Sequence, residues 1–428
     1  MAAIIVNGYA VPALAATGPV SSTPAKGTPA LANTGTTQQV RQLVQCGGTM
    51  YAVGNFNTIT WNGTTYTRNN AFSFSATSPF TVSSWNPNVN GAVNSVALSA
   101  DCSTAYLGGK FTSVGGTGVS NLAAVSTSTG AVIGSFAHTV TGQVRTLLLT
   151  HGHLLAGGYF TKINGSSAHK YMASLNPTTG SDDGFINLNI SGNYQYCLGT
   201  RCADSNATRV FNQQLSNSGN LDLVEGDFTS VGGQSRQQIF MLNLSGTTAA
   251  VTPWTSSDFN EHCWFSEPFY LQAASWSPDD STVYIATTGF HLYNWNGSFP
   301  MPGICDVAAA YPATQASVSP KWINYTGCDS LYSTAADSST AYFGGHERWS
   351  QNPSGCDNKG PGAVSAPGME GLSPSTGLLT FNPTRARGLG ADDMEITSAG
   401  LWIASDNMNN ANQCGGVFGH AGICFLPY

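Results

Sequence analysis

One eleven-residue run constrains this chain more than any other feature. Tyr106-Leu-Gly-Gly-Lys-Phe-Thr-Ser-Val-Gly-Gly116 returns as Leu155-Ala-Gly-Gly-Tyr-Phe-Thr-Lys-Ile-Asn-Gly165 and as Leu223-Val-Glu-Gly-Asp-Phe-Thr-Ser-Val-Gly-Gly233. Weaker copies begin at Tyr51, Tyr284, Tyr342 and Trp402, and Phe56, Phe111, Phe160 and Phe228 lie 55, 49 and 68 residues apart. An apolar strand precedes each copy, and a third strand follows, such as Leu122–Val125 or Ile239–Leu242. A Thr-Gly turn then leads to a fourth strand marked by an aromatic residue and often Asn-Pro, as at Trp85-Asn-Pro87 and Phe381-Asn-Pro383. Four short strands repeated at this period are the sequence form of a β-propeller blade. The fold class expected is all-β: a seven-bladed propeller of four-stranded blades, with a stacked solenoid as the alternative. The last copy ends after its third strand. A segment before Val40, around Ala30–Thr36, is therefore expected to supply the missing outer strand and close the ring, which leaves no open sheet edge. The first Gly pair of each copy is expected where neighbouring blades crowd together near the channel.

Composition agrees with that reading. Of 428 residues only 15 are Lys or Arg and 22 Asp or Glu, so 9% are charged, against roughly 25% in an ordinary soluble domain. With 41% hydrophobic residues the chain can build a core, and 49 Gly and 20 Pro supply its turns. A net charge of −7 leaves no basic surface, which excludes nucleic acid as a partner.

The ten cysteines include no CxxC pair and no Cys/His cluster with zinc spacing, so disulfides in an oxidising compartment are expected and a metal site is not. Blade equivalence pairs Cys46 with Cys102, Cys197 with Cys202, and Cys263 with Cys328. Among the remaining four, Cys305–Cys356 with Cys414–Cys424 is favoured over Cys356–Cys414. The first residues end like an export signal, with Ala13-Leu-Ala15 as its cleavage site, but lack a basic leader. Residues 1–37 thus read as a truncated leader and flexible segment, and 38–428 as a single propeller domain. No segment approaches the ~18 apolar residues of a membrane helix. The expectation is a secreted protein.

Gly108-Gly-Lys-Phe-Thr-Ser-Val-Gly-Gly116, followed by Asn121-Leu-Ala-Ala-Val125, resembles the delta-60 repeat β-propeller of secreted bacterial, especially actinobacterial, proteins. Gly344-Gly-His-Glu-Arg-Trp349, Pro367-Gly-Met-Glu-Gly-Leu-Ser-Pro-Ser-Thr-Gly377 and Gly400-Leu-Trp-Ile-Ala-Ser-Asp406 are similar to the closing blades of those proteins. The resemblance covers residues 40 to 428. It implies a propeller fold and, because such propellers often accompany adhesive or carbohydrate-binding modules, a binding role.

Loops joining second to third strands, and blade-to-blade connections, emerge on one face of a propeller. The long ones here are His346 to about Ala363, Asp406 to about His420, Ile190–Asn206 and Ser256–Phe269. They gather the scarce charged and aromatic residues. His262, Trp264, His346, Arg348, Trp349, Arg385, Arg387 and Asp406 form the candidate ligand-binding set, with rings for sugar stacking and guanidinium forks for planar hydrogen bonds. The alternative is structural: Arg385 and Arg387 pinning Asp392, Asp393 or Asp406. For catalysis, Glu347 could pair with Asp393 or Asp406 as acid and base, given carboxyl groups roughly 5–10 Å apart. No Gly-x-Ser-x-Gly elbow and no His-Glu-x-x-His are present. His151-Gly-His153 reads as a solvated turn on the opposite face. The leading expectation is a non-enzymatic module binding a glycan or cell-surface protein, without cofactor or metal. A polysaccharide-acting enzyme is the alternative.

Overall fold

The computed structural model describes residues 18–193, 197–198, 201–202 (backbone only at these four), 207–261, 263, 270–289, 304–383, 387, 390–408 and 421–428. Each repeat folds into an antiparallel meander. Sheet I comprises Gln39–Cys46, Thr49–Asn55 and Ala71–Ser75; sheet II Val93–Leu98, Thr104–Gly109 and Leu122–Ser126; sheet III Val144–Thr150, His153–Gly158 and Met172–Leu175. Sheet IV comprises Arg209–Leu215, Leu221–Asp227, Ile239–Asn243 and Ala250–Val251, and sheet V Leu271–Trp276, Thr282–Thr287, Val307–Pro312 and Trp322–Tyr325. Sheet VI comprises Leu331–Ala336, Ala341–Gly345, Met369–Leu372 and Leu379–Phe381, and sheet VII Asp393–Thr397, Gly400–Ala404 and Ile423–Pro427. In sheets I, II and III the outer position is held by single bridges, Phe74 with Val82, Val125 with Val132, and Leu175 with Asp182.

The sheets pack face to face in chain order, with a hydrophobic core between each neighbouring pair. Val53, Ala71 and Trp85 of sheet I meet Val93, Val96 and Leu107 of sheet II. The last such core closes the circle: Trp402, Ala404, Ile423 and Phe425 of sheet VII pack on Val40, Leu43, Phe72 and Phe74 of sheet I. First strands touch first strands all the way round, including that of VII against that of I. This radial stacking is a β-propeller architecture. The outer-strand tryptophans explain their own spacing: buried, they also need a partner for the indole N–H. Trp85 donates to the Ser126 carbonyl, Trp254 to Pro312 and Trp322 to Pro374, in each case in the next sheet.

The Gly pairs divide into two roles. A Cβ on Gly108 would lie 2.5 Å from Val144 Cγ1, so that glycine admits the next sheet. Gly115 and Gly116 instead take φ of +56° and +84° in the turn between the small strands Ser113–Val114 and Thr117–Gly118, a conformation that suits glycine.

The closing strand differs from the expectation of Ala30–Thr36. Ala30–Leu31 pairs with Thr58–Trp61 of sheet I's second-to-third loop. The segment flanking Ile423–Pro427 lies further upstream and forms no regular strand: the Ser21 N–H donates to the Pro427 carbonyl and the Ala25 N–H to Phe425. The reason is a rule repeated round the ring. The segment entering each of several sheets pairs with that sheet's own second-to-third loop, as Val140–Thr141 does with Lys162–Ile163 and Ile190–Ser191 with Ser230–Val231. Ala30–Leu31 is sheet I's copy of that entry segment, so the outer position of sheet VII falls to the residues before it.

The same rule governs the disulfides. Cys46–Cys102 joins the first turns of sheets I and II as expected. The expected pairs Cys263–Cys328 and Cys305–Cys356 are replaced by Cys263–Cys305 and Cys328–Cys356. Each of these two bridges links a sheet's entry segment to its own second-to-third loop, because those two segments emerge side by side. Cys197 and Cys202 face each other in a short backbone ladder. Cys424 is disulfide-bonded; Cys414 lies outside the described residues.

Candidate functional site

On the loop-rich face the charges converge on Asp329, a buried residue just after Cys328. Arg348 grips it with both ends of its fork, Nε and Nη2 each at 2.8 Å, and its backbone N–H donates to the same carboxylate at 3.0 Å. Arg348 also pairs with Asp357. The Asp329 bonds hold the Arg348 guanidinium above its ordinary pKa, against the cost of burial. Arg387 donates from Nη2 to Asp329 at 3.1 Å and from Nε to the His346 carbonyl at 2.7 Å. The two arginines therefore fasten loops, with Asp329 as hub in place of Asp392, Asp393 or Asp406. Trp349 is half-buried, with the Lys359 ammonium 5.9 Å from its ring centre. His262, Trp264 and Arg385 lie outside the described residues.

The candidate carboxylates occupy three settings. Glu347 is buried at the position where other sheets place Phe111, Phe160 or Phe228. Asp406 is buried, accepting from the Met408 N–H at 2.6 Å and the Gly390 N–H at 3.2 Å. Asp393 accepts from the Leu43 N–H at 2.9 Å, across the junction of sheets VII and I. Burial pushes Asp393 up to about 6, with the Leu43 and Met394 N–H groups opposing. Glu395 on the same strand is pushed up to about 8, by burial and then by Asp393, while the Gln45 N–H opposes. Sheet VII thus presents carboxyls to sheet I's backbone donors. On the opposite face, His151 Nε2 lies 3.1 Å from the Gly219 carbonyl and His153 Nδ1 2.7 Å from Asp183. Among the described residues, no three His, Cys, Asp or Glu side chains are grouped to hold a metal, and no helix is long and apolar enough to cross a membrane.

A second cluster lines the channel, and the sequence reading passed over most of it. Six innermost strands carry a β-bulge at the same place, where two residues oppose one on the second strand. A bulge re-aims the extra side chain. The extra residues are Arg41, Asn94, Arg145, Phe211, Gln272 and Tyr332. Asp392 holds the equivalent place in sheet VII, its N–H donating to the Ala404 carbonyl. All but Asn94 keep partial solvent contact while enclosed by the ring. Arg41 donates to Asn94 Oδ1 at 2.5 Å, and Asn94 Nδ2 to the Val144 carbonyl at 2.7 Å. The Arg145 guanidinium lies 4.3 Å from the Phe211 ring centre. At one end of the channel Arg209 pairs with Asp227 at 3.2 Å and lies 5.2 Å from the Tyr159 ring centre.

The charges here act on one another across sheets. Burial lowers Arg145 from its ordinary pKa, Arg41 and Arg209 lower it further, and Tyr159 and Asp392 oppose them. Burial pushes Asp392 up to about 7, against the pull of Arg41 and Arg145 and with the push of Asp406 and Asp393. Buried Asp392 Oδ2 and Arg145 Nε have no hydrogen-bond partner among the described residues. The signal for this cluster was present as seven dipeptides opening the first strands: Val40-Arg41, Val93-Asn94, Val144-Arg145, Val210-Phe211, Leu271-Gln272, Leu331-Tyr332 and Ala391-Asp392.

The chain is similar to the structure described as "Structure of U3-55K", with a TM-score of 0.51 and 8% identity over 95% of this chain and 100% of that one. It is also similar to the "Crystal structure of WD40 beta propeller domain of Doa1", with a TM-score of 0.45 and 12% identity over 91% and 94%. No family model and no curated protein matches the sequence. At such low identity the first likeness shows a shared fold alone, and the delta-60 resemblance rests on its motifs.

Proposed function

We propose that this chain is a secreted propeller of seven four-stranded blades, of the delta-60 type, that binds a glycan or a cell-surface protein through its loop-rich face without catalysing a reaction. The observation that carries this reading is how that face is held. Arg348 and Arg387 converge on Asp329 beside the Cys328–Cys356 bridge, Asp357 pairs with Arg348, and a network of this kind gives a rigid surface. A groove of about 530 Å³ opens on the same face between sheets II and III, and Lys110 and Gln143 line it. Neither side chain has a hydrogen-bond partner among the described residues, and such groups suit sugar hydroxyls or a polar protein surface.

Binding to a glycan array and to intact cell walls tests the reading, with Lys110→Ala, Trp349→Ala and Trp264→Ala as variants. Loss of binding in at least one variant supports it. Unchanged binding in all three removes the loop-rich face from the proposal.

One observation favours the enzymatic alternative: burial pushes Asp392 and Asp393 up to about 7 and about 6, within the range useful to a general acid. Polysaccharide turnover that vanishes in Glu347→Gln, Asp393→Asn or Asp406→Asn would establish it.

A further inference from the structure

We propose that the propeller channel binds a small ligand bearing an oxyanion, with Arg41 and Arg145 gripping the anionic group and Phe211 contacting the ligand body. The site is independent of the loop-rich face. It begins with an imbalance: the bulge register brings Arg41, Arg145 and Asp392 to the channel wall from three sheets, so two guanidinium groups stand against one carboxyl. Arg209 adds no neutralising charge, and its own partner is Asp227.

The Arg145 guanidinium carries five N–H donors, and none has an acceptor among the described residues, although its Nε is buried. Native proteins satisfy about nine in ten buried polar groups, and an unpaired guanidinium held in an enclosed site is costly. Phe211 holds the plane of this side chain by stacking, which leaves the rim of the fork open. Arg41 spends one terminal nitrogen on Asn94, whose own amide is anchored to the Val144 carbonyl. Asn94 therefore stands between the two arginines and fixes one of them.

Two guanidinium groups close enough to act on each other electrostatically, one bonded to Asn94 and the other carried next to the carbonyl that Asn94 bonds, suit a carboxylate, phosphate or sulfate. The rest of the ring defines what the anion is attached to. Phe211 and Tyr332 offer apolar faces, and Gln272 and Asp392 offer hydrogen bonds to hydroxyl or amino groups, since Asp392 Oδ2 has no partner among the described residues. A hydroxylated organic acid satisfies all of these groups together.

Isothermal titration calorimetry of the full chain with glucuronate, glucose 6-phosphate, inorganic sulfate and neutral glucose tests the site. At least one acid is expected to bind with glucose silent, and the strongest of the three identifies the oxyanion. Arg145→Met and Arg41→Met should each weaken that acid by about tenfold or more. Arg41→Met serves if Arg145→Met does not fold. No acid binding below about 10 mM, or equal binding in the arginine variants, overturns the proposal. Failure of glycan binding on the loop-rich face leaves this titration unaffected, so the two readings fail separately.

Discussion

The loop-rich face and the channel wall carry the same kinds of side chain and use them in opposite ways. Around Asp329 the side chains of Arg348 and Arg387 have carboxylate or carbonyl partners, and the carboxylate takes both forks. In the channel, among the described residues, Arg145 has an aromatic ring beneath it and no acceptor, and Asp392 Oδ2 has no donor. The difference teaches where to look. Charges clustered in sequence, such as His346-Glu347-Arg348, tie down the irregular loops that carry them. Charges two or more repeats apart in sequence, such as Arg41, Arg145 and Asp392, meet only after the sheets have packed round the ring.

The largest effect expected of a substitution tests the hub. Asp329→Asn leaves Arg348 and Arg387 facing each other without their carboxylate and should cost about 3–5 kcal/mol in denaturant unfolding. A loss below about 1 kcal/mol would show that the face is held by something else. Next is the staple over that hub. Cys328→Ser with Cys356→Ser opens a bridge spanning 28 residues and should cost about 3 kcal/mol. The double variant should also bring protease cleavage within 346–363.

The third prediction concerns pH, because raised carboxyls line the inner strands. Asp392, Asp393 and Glu395 are pushed up to about 7, 6 and 8, and Glu225 on sheet IV's second strand, where burial outweighs the Asn212 bond, to about 8. A carboxyl whose folded pKa is raised stabilises the fold fully below its unfolded pKa, near 4, and that contribution is lost as pH rises through the folded value. The unfolding midpoint should therefore fall between pH 5 and pH 8.5, by the equivalent of at least about 4 kcal/mol, which a single carboxyl held at about 8 supplies over that range. Glu225→Gln should flatten that slope, and a midpoint rising over this range would contradict the assignment.

The smallest effect sharpens the contrast. Arg145→Met should leave stability unchanged or raise it slightly, because an enclosed guanidinium without an acceptor among the described residues is costly and the thioether still packs on Phe211. A loss as large as that of Asp329→Asn would place Arg145 among the structural arginines and erase the distinction between the two regions.

Much of the fold was legible in the sequence because each repeat encodes its own strands and turns. The Gly-Gly-x-Phe-Thr run places a strand, an approach to the next sheet and a hairpin, and Trp85 marks an outer strand. Cys46–Cys102 followed from equivalent positions in neighbouring repeats. Cys263–Cys305 and Cys328–Cys356 did not, because their pairing depends on loops emerging beside one another within one sheet. The site was legible in kind but not in place. Arg348 and Arg387 were singled out for their company in sequence and proved to serve Asp329, a residue that the sequence gives no reason to single out.

By itself the sequence determined what short-range physics can fix: strand periodicity, glycine turns, and a unit too thin to bury its own faces, which must therefore stack. Only the tertiary structure decided which charges meet. A bulge aims one residue per sheet inward, but whether that residue finds a partner depends on sheets up to 350 positions apart, as Leu43 and Asp393 are. Electrostatic pairing falls off over a few ångströms, and closing the ring sets those distances.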